Sequence, residues 1–177
     1  MNRIYFKEEQ RFTQWWVWLL LLFATAVSVG PLWYGVYSQL STGIPWGDNP
    51  TSDDMLVVIA IVMTLFMATV VILFRIQKLE LVVSDQDVSF RFLPFIRKWI
   101  RITPGEIKSW EVITYNPIRT YGGRGIKRRN KNDRAYNVSG NLGLRIHLVN
   151  GKMILIGTQR RDALIHAMAK MAGQGNE

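Results

Sequence analysis

Positive charge is the chemistry that this sequence offers most densely. Arg119, Arg124, Lys127, Arg128, Arg129, Lys131 and Arg134 stand close together, with Asp133 as the only acid between the first and the last. Gly122, Gly123 and Gly125 flank Arg124. Glycine reaches backbone conformations closed to other residues, so amide groups in such a run can approach a ligand, and glycine loops beside cations can cradle phosphate. The spacing is neither a P-loop nor a dinucleotide fingerprint, and no strand-then-helix context surrounds it. The functional reading is contact with anionic lipid headgroups, at about 1 kcal/mol per Lys or Arg near a negatively charged leaflet. The alternative is a solvated loop whose charge only enforces membrane topology, because a positive-inside bias yields the same composition.

The second candidate stretch holds Asn137, Ser139, Gly140 and Asn141. These residue types favour turns closed by side chain-to-backbone hydrogen bonds, so a structural turn is expected rather than a ligand site. His147 and His166 lie apart, without repeated carboxylate spacing, and no metal site is expected. The chain has no cysteine, which excludes disulfides, thiolate nucleophiles and cysteine metal sites. No cofactor fingerprint is present, and no acid–base pair or nucleophile with a base in reach is marked. Trp99 and Trp110 are expected to pack a domain interior.

These residues must be held by the rest of the chain, which is segregated into apolar runs and a basic remainder. Met55–Phe74 is a run of uncharged residues without Pro or Gly, the length of a bilayer-spanning helix. Trp15–Tyr37 is a second uncharged run, with Trp15, Trp16 and Trp18 at one end and Trp33, Tyr34 and Tyr37 at the other. Such aromatic ends suit headgroup depth. Gly30-Pro31 is expected to kink or loosen it. Ala24-Thr25-Ala26 mimics a signal-peptide cleavage site, but the apolar run continues past it and the lead carries Glu8 and Glu9, so an uncleaved anchor is expected. Neither run contains Asp, Glu, Lys, Arg or His, which argues against an ion or proton path.

The loop Gln39–Asp54 has three aspartates and no Lys or Arg, whereas nineteen cations follow from Arg75 onward. The positive-inside rule then predicts a multi-pass protein of the cytoplasmic membrane with both termini cytoplasmic. The expected division is 1–76 for a polar lead and a two-helix hairpin, and 77–177 for a cytoplasmic domain.

From Lys78 onward the pattern alternates. Lys78–Val83 and Val88–Phe92 read as a hairpin, Ile96–Ile102 as a third strand and Ile107–Tyr115 as a fourth. Residues 116–135 read as irregular. Leu142–Val149 and Met153–Ile156 form a pair around Asn150-Gly151, the strongest short hairpin signal in the chain. Thr158 is the expected N-cap of a final helix that buries Leu164, Met168 and Met171. The expected fold class is therefore a membrane helical hairpin plus a mainly-β domain, a bent sheet or barrel of six to seven strands capped by a C-terminal helix. A fragment from Lys78 to Glu177 is expected to fold alone.

Several stretches carry a resemblance: Tyr121-Gly122-Gly123-Arg124-Gly125-Ile126, Ala135–Asn141, Leu155–Gln159, Phe92–Phe95 and Pro45–Asp48. Nearly the whole chain resembles an uncharacterised family of small bacterial membrane proteins with a two-helix transmembrane hairpin followed by a pleckstrin-homology-like (PH-like) domain. Arg124 stands where that family tends to have Trp. The resemblance implies a membrane location and a PH-like fold, and it supplies no substrate and no reaction.

The leading expectation is a non-enzymatic, membrane-anchored interaction module. Its domain would bind a partner protein, a second copy of the chain, or anionic headgroups of the inner leaflet. A membrane-tethered nucleic-acid binder is the runner-up, supported by nineteen cations against eight acids after residue 74. It lacks a regular series of stacking aromatics. A membrane enzyme ranks third.

Overall fold

The computed structural model describes residues 3–174, in two compact units: Gln14–Arg75, and the residues before it together with those after it.

The first unit is a helical hairpin, α1 (Trp15–Thr42) and α2 (Asp53–Ile76). Both helices are long and apolar enough to cross a membrane. Each extends beyond the expected spans of 15–37 and 55–74, and α1 continues unbroken through Pro31. Leu19, Leu20, Leu22 and Phe23 on α1, and Val62, Leu65 and Phe66 on α2, are exposed. An apolar surface on this scale demands a nonaqueous partner. At the connection, buried Gln39 ties the turn together. Its Nε2 donates to Thr51 O (3.0 Å) and Asp53 Oδ1 (2.6 Å), and its Oε1 accepts from Trp46 N (3.0 Å). Gly35 is required there, because a Cβ would lie 2.5 Å from the Trp46 ring.

The second unit has two sheets. The first contains β1 (Ile4–Arg11), β2 (Lys78–Ser84), β3 (Val88–Leu93) and β4 (Ile96–Ile102), antiparallel and in that order. The second contains β5 (Ile107–Thr114), β6 (Gly125–Asn130), β7 (Asp133–Asn137), β8 (Leu142–Leu148) and β9 (Met153–Thr158), in the order β5-β8-β9-β7-β6. Its β7–β9 pairing is parallel. A short helix α3 (Pro117–Tyr121) precedes β6, and α4 (Arg161–Gln174) ends the unit.

Alternation explains the interior. Leu79, Leu81 and Val83 from β2 and Phe90 and Phe92 from β3 meet Tyr136, Leu144, Ile146 and Ile156 of the second sheet. Leu164, Met168 and Met171 of α4 join the same core. This matches the expected buried face of the final helix.

Four expectations are corrected. The described residues hold nine strands in two sheets, not six or seven, and the sheets do not close into a barrel. The lead is not a free polar segment: Ile4–Arg11 is the edge strand of the first sheet, with Arg11 opposite Lys78. The hairpin is thus an insertion between two paired strands. Residues 116–135 are not irregular but form α3 and the β6–β7 hairpin. Thr158 ends β9 rather than capping α4, which begins at Arg161.

Candidate functional site: a basic sheet edge and the cleft beside it

The glycine run is built to close α3, not to cradle an anion. Asn116 Oδ1 caps the helix by accepting from Ile118 N and Arg119 N, both at 3.1 Å, and Pro117 presets the first turn. Gly122 adopts φ 70°, and its amide donates to Ile118 O at 2.9 Å. The Gly123 amide donates to Pro117 O at 3.0 Å, and the Gly125 amide to Asn137 Oδ1 at 2.9 Å. Three of the amides expected to approach a ligand are therefore already engaged.

Beneath α3, two buried tyrosines fix the same sheet face. Asn137 Nδ2 donates to Tyr115 Oη (2.8 Å), and the Tyr121 hydroxyl donates to buried Asp133 Oδ1 (3.0 Å). Burial, reinforced by the Asp133 carboxylate, pushes the Tyr121 phenol up to about 12. Burial also raises Tyr115, against the opposing effects of Asn137 and Arg124. Ser139 accepts from Gln159 Nε2, Gly140 takes φ 77°, and Asn141 O accepts from Tyr115 N at 2.7 Å. Asn137–Asn141 thus bonds to neighbouring strands more than to itself.

The seven sequence-selected cations are distributed over one edge. Arg119 lies on α3, Arg124 in the loop after it, Lys127, Arg128 and Arg129 on the edge strand β6, Lys131 in the turn and Arg134 on β7. Strand alternation puts Lys127, opposite Ala135, on one face with Arg129, while Arg128 opposes Arg134 on the face of Tyr136. Arg128 is committed locally, with Nε donating to Asn130 O (3.1 Å) and Nη2 to Lys131 O (3.2 Å). Among the described residues, none of the seven forms an ion pair with a carboxylate.

Two cations that the sequence did not single out join this region. The β6–β7 and β8–β9 turns lie side by side, because the parallel register sets Asp133 opposite Met153 and Met153 N donates to Asn132 O at 2.6 Å. Lys131 and Lys152 therefore come from adjacent turns. Together with Arg134 and with Arg101 of β4 they rim a cleft of about 250 Å³ between the two sheets. Its floor is apolar, with Phe90, Ile100, Tyr136, Leu148 and Ile154. Glu106 is the only acid lining it, and its Oε2 accepts from Thr103 N and Oγ1 at 2.8 Å each. Those bonds, the backbone one foremost, hold its carboxyl below the usual range. The one sequence signal for Lys152 was its place directly after the Asn150-Gly151 turn.

His147 sits on β8 with its Nε2 4.0 Å from Glu111, half-exposed. His166 is exposed on α4. Trp99 is half-exposed on the first sheet, beneath the Arg91 guanidinium at 4.6 Å. Trp110 packs against the main core.

The class this defines is a two-sheet, helix-capped domain interrupted after its first strand by an apolar helical hairpin, with a cationic edge. No protein-family profile matches the chain, and no curated protein matches its sequence.

Proposed function

We propose that the chain is a non-enzymatic, membrane-anchored interaction module of PH-like type in a bacterial inner membrane. Its basic edge binds anionic headgroups of the cytoplasmic leaflet. The observation that carries this reading is the set of cations on and around the β6–β7 hairpin that have no carboxylate partner among the described residues. Charges spent on folding are normally paired, and these are not.

The insertion supports the membrane reading from a separate direction. β1 and β2 pair directly, so the chain entering the hairpin and the chain leaving it lie on the same side of whatever the hairpin crosses. That requirement agrees with two crossings and with the charge asymmetry of the loop. Only Phe12–Gln14 and Gln77 separate the paired strands from the helices, so the domain has almost no tether.

The test uses the full chain in nanodiscs of neutral lipid and of neutral lipid mixed with phosphatidylglycerol. Amide exchange in Gly125–Asn137 should slow in the anionic discs and recover with added salt. Equal exchange in both discs would remove the leaflet as ligand and leave a partner protein as the surviving form of the module.

A further inference from the structure

We propose that the cleft between β4 and the β7–β9 pair binds a single-chain anionic amphiphile. The acyl chain lies on the apolar floor, and its terminal carboxylate or phosphate is held by Lys131, Arg134 and Lys152.

Shape and charge lead to the same ligand. The cleft is about 250 Å³, below the roughly 300–1,000 Å³ of pockets that enclose drug-sized ligands and cofactors. A volume of that size suits a slender chain. Ile100, Leu148 and Ile154 are only half-buried although they border the main core, so apolar surface is left uncovered at this mouth. A purely polar anion would leave that surface wet, and a neutral chain would leave the cations unused.

The turns that carry the two lysines are fixed by hydrogen bonds. Lys152 N donates to Asn150 Oδ1 at 3.0 Å, and Lys152 O accepts from Leu148 N at 2.8 Å, which fixes the turn that presents it. Arg128 fixes the neighbouring turn by donating to Lys131 O. Lys131, Arg134 and Lys152 have no carboxylate partner among the described residues. Arg101 is set apart, being largely exposed and 3.8 Å from Asp87. The only carboxylate in the cleft, that of Glu106, is occupied by Thr103. A charge-assisted site for one anionic group is therefore open at the end of an apolar slot.

The test is photocrosslinking on the full chain in neutral nanodiscs, with three probes sharing one diazirine-bearing ten-carbon chain. One ends in a carboxylate, one in a phosphate and one in an alcohol. Crosslinks from the anionic probes are expected in Leu148–Ile154 and Arg134–Tyr136. The alcohol should label only α1 and α2. K131Q/R134Q/K152Q should reduce cleft labelling at least tenfold, since one lost charge-assisted hydrogen bond alone is worth about that factor. K127Q/R129Q should leave it unchanged, which separates this site from the leaflet contact proposed above. Labelling by the carboxylate alone would identify a fatty acid, and by the phosphate alone a monoalkyl phosphate. Equal cleft labelling by the alcohol, or labelling of the helices alone by every probe, would overturn the proposal.

Discussion

The two sheets of the domain carry similar charged residues and use them in opposite ways. On the outward face of the first sheet, Arg11, Glu9, Lys78, Glu80 and Arg91 alternate in sign and touch in sequence, at 2.7, 3.0, 2.6 and 2.5 Å. The register puts Glu9, Glu80 and Arg91 in one row across three strands, and Trp99 receives the last guanidinium. At the β6 edge of the second sheet the cations form no ion pairs among the described residues, and the nearby Asp133 is bonded to Tyr121 instead. Charge in the Arg11–Arg91 row of the first sheet is part of the fold, whereas at the β6 edge it has no carboxylate partner among the described residues. Composition alone, which is basic throughout, does not separate the two.

The severest way to break the first of these surfaces is to remove its outer strand. Deleting residues 1–12 takes away Glu9 and Arg11 together with Phe6, a core residue, and Glu8. Glu8 is buried and accepts from Thr158 Oγ1 (2.7 Å) and Gln159 N (2.8 Å), so it also ties the first sheet to the β9–α4 turn. The full chain without these residues is expected to lose its cooperative unfolding transition by near-ultraviolet circular dichroism. The Lys78–Glu177 fragment should aggregate for the same reason. If that fragment unfolds cooperatively, β1 is only a peripheral addition.

A smaller break is Glu80→Ala. The Glu80 side chain is almost fully buried, and its loss leaves Arg91 without its acceptor and Lys78 with Glu9 alone. Those cations are partly exposed and recover some hydration, so the cost is about 2 kcal/mol, short of the 3–5 typical of a fully buried pair. Chemical denaturation of the full chain measures it. Glu111→Ala, which removes the exposed partner of half-buried Arg145 on the second sheet, should cost less.

Acid titration sharpens the same contrast. Lys78, then Arg11, holds the Glu9 carboxyl below its usual value. Burial pushes Glu80 upward, but its bonds to Arg91 and Lys78 outweigh this and leave it lowered. A carboxyl depressed in the folded state contributes stability that is fully present above its ordinary value of 4.5 and is lost as pH falls through the folded value. Lys78 is raised, chiefly by Glu80, so its own contribution is lost only on the alkaline side, as pH rises through the folded value. Melting temperature should therefore hold to about pH 4.5 and then fall. In Glu80→Gln the acid-side fall should be shallower.

Legibility followed the physics of burial. Strands whose inward residues are apolar, such as β2 with Leu79, Leu81 and Val83, announced themselves by alternation. β1 did not, because two of its inward residues are Glu8 and Gln10, buried only by bonds to residues about 150 positions away. β6 was hidden for a different reason. As an edge strand with Ile126 its lone large apolar residue, it has no buried face to read. The cationic edge was visible as a run of charge. The cleft beside it was not, since Lys152 joins Lys131 and Arg134 only through the parallel register of β7 and β9, and Arg101 only through the packing of one sheet on the other.

The smallest effect expected on stability belongs to the second surface. Among the described residues Arg119, Lys127 and Arg129 have no carboxylate partner, and Arg119 and Arg129 are exposed. R119Q/K127Q/R129Q should therefore change unfolding free energy by less than about 0.5 kcal/mol, the usual range for surface substitutions. The same change should abolish the slowing of Gly125–Asn137 exchange in anionic nanodiscs. Arg128 is kept because it closes the β6–β7 turn, and removing it would mix a folding defect with a binding one. Arg124 is kept because its charge acts on buried Tyr115. A melting temperature several degrees lower in the triple variant would mean that the second surface is structural like the first, and the contrast between the sheets would fail. An unchanged melting temperature with unchanged protection in anionic discs would preserve the contrast and direct these cations to an acidic protein surface instead. The variant thus reads stability and binding separately, which no substitution in the Glu9–Lys78–Glu80 ladder can do.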